Sequence, residues 1–105
     1  MDKSIPERIV HAAVIAENGF LVFMGKCHAD CFHQADGVGV KMTSKADSQG
    51  FVTNRGRFVK RKDAARIAFM AGQTKDPEDI LFSEMLWSKK SGGKYKYDYV
   101  KGYYL

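Results

Sequence analysis

Three groups of residues in this 105-residue chain are of kinds that could do chemistry. Lys60, Arg61 and Lys62 stand just ahead of an alanine-rich run. Cys27, His28, Cys31 and His33 fall within one short stretch, and Lys94, Lys96 and Asp98 alternate with Tyr95, Tyr97 and Tyr99 near the end. The basic triplet suits an anion, because a helix starting there presents free N–H groups and the positive end of its dipole. Three cations at that end cost about 0.3–1 kcal/mol each at low salt, which a bound phosphate would offset; a solvated cap partly balanced by Asp63 fits the same residues. Cys27 and Cys31, four apart, would share one face of a short helix and begin a zinc site. No second pair completes four ligands, and two small side chains packed inward explain the spacing without a metal. Neighbouring Cys27 and His28 diverge by about 100° on a helix, which makes them a poor nucleophile and base. Tyrosine and lysine in alternation suit single-stranded nucleic acid, where each stacked base gains about 1–3 kcal/mol. No GxSxG, HExxH, DFG or paired-carboxylate pattern occurs, so binding rather than catalysis is expected, with no cofactor and no metal.

The elements that must position these groups follow from period and punctuation. The stretch from Gly50 to Gly72 reads as strand, turn, strand and helix. Phe51 and Val52 lead into a turn at Asn54, Arg55 and Gly56, and Arg57 to Val59 run back antiparallel. From about Arg61, Ala64, Ile67, Ala68 and Ala71 recur at helical spacing, widened by Ala65 and Phe69, with Lys62, Arg66 and Gln73 opposite. Gly72 supplies a left-handed C-terminal residue. Upstream, Ile9 to Ala16 and Phe20 to Met24 form a second hairpin through Asn18-Gly19. Their runs are continuous rather than alternating, which implies strands covered on both sides or by an oligomer partner. A short helix is expected from about His28 to Ala35, with one of His28 and His33 exposed. The polar stretch that follows reads as a loop with at most a short strand over residues 38–42. Asp76-Pro77 marks a turn, and Ile80 to Trp87 is a helical turn or an edge piece, with Trp87 either a core plug or a stacking platform. After Ser91-Gly92-Gly93 the alternation predicts a strand that joins a sheet edge or another subunit.

These elements make one α+β domain over residues 1–105, a small antiparallel sheet with two short helices and a basic, tyrosine-rich extension over residues 88–105. Five lysines against Asp98 give that extension +4 of the net +5, so the charge favours anionic partners locally. No apolar run approaches the length of a membrane span, and MDKSIPER lacks a signal-peptide core, so a cytoplasmic protein with reduced cysteines is expected.

Three segments, FLVFMGKCH from Phe20, GFVTNRGRFVKRKDAARIAFMAGQ from Gly50 and LFSEMLW from Leu81, resemble in order and spacing the phage Thoeris anti-defence proteins of the first family. The resemblance covers roughly residues 9 to 87, and its central segment is the most specific. It implies a non-enzymatic sponge in the infected bacterial cell that sequesters the glycocyclic ADP-ribose made by TIR-domain proteins and, in some members, cyclic di- or trinucleotides of cyclic-oligonucleotide defence. It also implies α+β subunits assembled as dimers or as hexamers built from three dimers, with a small anionic cyclic nucleotide as ligand and no membrane. Carried onto this sequence, Phe51 stacks on a base, Arg57 or Arg61 holds phosphate or ribose oxygens, His28 and Met24 line the pocket, and Trp87 closes it. Cys27, Met24 and Met85 depart from the arginine, aromatic and acidic residues of the family pattern, and the tail is longer, which points it toward assembly. The alternative is a phage module for single-stranded nucleic acid.

Overall fold

The computed structural model describes residues 6–43 and 45–105. Positions 1–5, which open the stretch read as lacking a signal-peptide core, and position 44 in the polar loop lie outside the described residues. The fold is α+β. A four-stranded antiparallel sheet has the order β2-β1-β3-β4, from β1 (Ile9–Ile15), β2 (Val22–Gly25), β3 (Gln49–Thr53) and β4 (Phe58–Lys60). Three helices accompany it, α1 (His28–Gly37), α2 (Arg61–Met70) and the single turn α3 (Glu84–Trp87), and a separate two-stranded ribbon joins β5 (Tyr97–Asp98) to β6 (Tyr103–Tyr104).

Both expected hairpins form. The central position of β1 explains its continuous apolar run: Ile9, Ala12, Ala13 and Val14 are all buried because strands flank it on both sides. A bulge between Ile9 and His11 breaks the ladder with β3, and there Gln73 takes over. Its amide oxygen accepts from the Ile9 N–H and its amide nitrogen donates to the Ile9 carbonyl, each at 2.8 Å. Gln73 is therefore buried, not on the solvent side of α2 as its helical spacing predicts, because the chain has already left the helix at Gly72 (φ +75°).

The inner sheet face carries Ile9, Ala12, Phe51 and Val59, and the small side chains Ala64, Ala65 and Ala68 let α2 lie close upon it. Leu81 and Leu86 complete that core, each side chain contributing about 1.5–3 kcal/mol by burial. Phe69, expected on the buried stripe, is partly exposed at its edge. The outer face leaves Val22 and Met24 of edge strand β2 open, with Phe20 and Leu21 beside them.

The tail departs most from expectation. Its alternation predicts one long strand, but the chain folds back on itself at Asp98. One carboxylate oxygen of Asp98 accepts from the N–H groups of Val100 and Lys101, and the Gly102 N–H donates to the Asp98 carbonyl. The ribbon then packs against the first half of β1, the part that β2 leaves unpaired. Tyr104 has no exposed surface, and its hydroxyl donates to the Lys26 carbonyl. A tail that ends in the core is part of the domain rather than an appendage.

Candidate functional site

Lys26 and Cys27 connect β2 to α1, and Lys26 is fixed at both ends. Its carbonyl accepts from Tyr104, while its ammonium lies 3.7 Å from the centre of the Trp87 ring. A cation over an indole face gains about 0.5–1 kcal/mol when exposed and about 2 when desolvated. Around this pair opens a hollow of about 550 Å³, and its other walls come from the tail: Lys89, Lys94, Lys96, Tyr95, Tyr97 and Tyr99. The tail reaches back because the Tyr95 N–H donates to the Leu86 carbonyl at 2.8 Å and Gly93 lies directly on the Trp87 backbone. A Cβ on Gly93 would stand 2.6 Å from the nitrogens of Trp87 and Ser88, so this approach requires glycine.

The electrostatics of the hollow are one-sided. Four ammonium groups line it with no acidic side chain among them, and among the described residues none of the four pairs with a carboxylate. The nearby Asp30 accepts a hydrogen bond from the Tyr99 hydroxyl at 3.1 Å. The tyrosine rings and the tail's lysines in one recess suit an anion with an aromatic face, while Lys26 already covers one face of Trp87.

The six residues expected to bind a ligand are dispersed. Trp87 lines the hollow. His28, Phe51 and Arg61 form a neighbouring group: the His28 Nε2–H donates to the Gly50 carbonyl at 2.8 Å and its ring meets Phe51 edge-on at 5.1 Å. Burial holds His28 below the usual imidazole range, with the positive charge of Arg61 adding to the effect. Phe51, expected to stack on a base, is 0% exposed and offers no open ring face. The physical reason is its register: it points inward opposite Ala12 and Val59, where α2 covers it. Arg61 reaches toward the Phe82 ring at 5.8 Å. Arg57 is held elsewhere by Glu7, through Nε at 2.6 Å and a second guanidinium nitrogen at 2.7 Å, and it draws the Glu7 carboxyl down to about 2. Met24 lines another recess, of about 660 Å³, with His11, Val52, Lys101 and Tyr103.

Of the two cysteines, Cys31 packs inward and Cys27 is half-buried. Cys31 is buried with its thiol toward the Ala12 and Cys27 carbonyls, and burial pushes it up to about 12, so it stays a thiol. His33 is exposed and His28 half-buried. Among the described residues no group of three or more His, Cys, Asp or Glu side chains is arranged to hold a metal ion, and no helix is long and apolar enough to cross a membrane.

Sequence reasoning missed Lys26, and it read the tail's lysines and tyrosines as a strand for nucleic acid or assembly rather than as walls of one recess with Trp87. The signal was present in Gly92-Gly93, which permits a return, and in the concentration of charge after it. Fold and hollow together define a small α+β protein with a cation-rich aromatic recess. Residues 8–87, well over half of the chain, match the family model described as phage T4 y16D protein, and the chain belongs to that family and is a phage protein. The tail from Ser88 onward lies beyond the matched span. No curated protein and no solved structure matches the chain.

Proposed function

We propose that this phage protein is a non-enzymatic anti-defence sponge, resembling the first Thoeris anti-defence family, that binds and sequesters cyclic nucleotide immune signals. Its ligands are glycocyclic ADP-ribose from TIR-domain proteins and cyclic di- or trinucleotides, taken up in the cytoplasm of the infected bacterium. The observation that carries the reading is the hollow beside Trp87, where a half-buried indole, three tyrosines and four lysines with no close carboxylate contact among the described residues line about 550 Å³. That volume falls within the range of small-ligand sites, roughly 300–1,000 Å³. Assembly into a dimer or a trimer of dimers is part of the proposal, supported by the open apolar strip of Phe20, Leu21, Val22 and Met24 on an edge strand.

The rival single-strand reading asks for rings spaced along a track. Tyr95, Tyr97 and Tyr99 instead gather at one recess and Tyr104 is buried, which favours a compact ligand. The test mixes protein with the TIR-derived signal, measures free signal, then denatures the protein by heat and assays the supernatant. Depletion followed by recovery of intact signal is expected. Signal that is never depleted, or that returns cleaved, overturns the proposal, and affinity that climbs with oligonucleotide length establishes the rival.

A further inference from the structure

We infer that the tail is a phosphate-counting clamp: Lys89, Lys94 and Lys96, brought against Trp87 by the return at Gly93, make the recess select ligands with two or more phosphates over those with one. This rests on the nucleotide reading proposed above and adds to it which residues set the preference. Three observations carry it. The tail supplies three of the four cations lining the hollow, yet it lies beyond the span shared with the family. Among the described residues those lysines make no close carboxylate contact, although Asp98 lies within the field of Lys96 and Lys94 also borders a recess with Asp76 and Glu78, so their ammonium groups keep capacity for an anionic ligand. Lys26 differs from them, since its ammonium is already seated over the Trp87 ring and its carbonyl is tied to Tyr104. One phosphate can engage only part of a lining that has four lysines around about 550 Å³. A second phosphate gives the tail lysines a partner, and the charge-assisted contacts so formed are the strong kind.

The geometry supplies a control that charge removal alone does not. Gly93→Ala leaves every charge in place but puts a methyl group where the Trp87 and Ser88 backbone already lies, and so displaces Lys94 and Lys96 from Trp87. The experiment is calorimetric titration of the full chain and of Lys94→Gln/Lys96→Gln, Gly93→Ala and Trp87→Ala variants. The probes are adenosine 3′,5′-cyclic monophosphate, cyclic di-AMP and the TIR-derived cyclic ADP-ribose. The clamp predicts that the double lysine variant loses roughly tenfold to a hundredfold in affinity for the two-phosphate probes, changes little for the monophosphate, and shows a shallower salt dependence. Gly93→Ala, if folded by circular dichroism, reproduces that selective loss; the lysine pair is exposed, so its variant keeps the test valid if the glycine variant does not fold. If the lysine variant binds all probes like the parent while Trp87→Ala binds none, the clamp is overturned and the nucleotide reading stands. If the parent binds no probe, both fall together.

Discussion

The turn that carries Arg57 and the recess beside Trp87 hold similar residue types to opposite effect. At the turn, Arg57 is matched by Glu7 through two short contacts, and its charge is already committed. In the recess, Lys26, Lys89, Lys94 and Lys96 line one hollow with no carboxylate among its walls. The difference teaches that a cation becomes a binding group through what the fold withholds from it. Glu7 and Arg57 stand fifty positions apart in sequence, so only the closed sheet shows that the arginine is neutralised.

The comparison breaks first at the tail's anchor. Tyr104→Ala removes a fully buried ring and its hydroxyl contact to Lys26, and is expected to destabilise the fold by about 3–5 kcal/mol in denaturant melts. A loss below about 1 kcal/mol would mean that the tail is an appendage after all. Next, Trp87→Ala should weaken nucleotide retention roughly tenfold to a hundredfold, while Arg57→Gln leaves it unchanged; equilibrium dialysis of the two variants side by side reads the contrast. Equal losses would erase the distinction between the regions.

Smaller effects come from pH. Burial lowers the affinity of His11 and His28 for a proton, the hydrogen bonds to Gly102 and Gly50 opposing it in part. The unfolded chain therefore binds more protons than the fold just below the ordinary imidazole value. Their contribution is complete above about pH 6.5 and is lost as pH falls beneath it, and His11→Gln should flatten that slope in melts taken across the range. Smallest is the acid limb at the turn. Glu7, held near 2 against an ordinary 4.5, contributes stability present above pH 4.5 and lost as pH falls toward 2. Glu7→Gln should remove that limb without touching ligand retention.

Much of the fold was legible because its signals are local. Asn18-Gly19 and Asn54-Arg55-Gly56 mark turns and the alanine period marks α2, whereas Cys27, expected to share a helix face with Cys31, is the extended residue just ahead of α1. What sequence reading mistook was set by contacts between distant segments. Gln73 looks solvent-facing until the bulge at Ile9 calls for its amide, and Phe51 looks like a stacking ring until α2 closes over it. The tail alternates like a strand, but Asp98 caps a turn and Tyr104 finds space beside β1 where β2 stops. Trp87 was legible as a candidate; its partners were not, since Lys26 and Lys94 line the recess from segments far apart in sequence.

Native mass spectrometry of the full chain mixed with the TIR-derived signal weighs the assembly and its captured molecule together. Each protomer should gain the mass of one intact signal in the parent and in Arg57→Gln, and Trp87→Ala should need roughly tenfold to a hundredfold more signal to reach the same occupancy. No added mass in the parent, a cleaved product, or a Trp87→Ala variant that fills as readily as the parent would contradict the placement of a nucleotide in the recess beside Trp87.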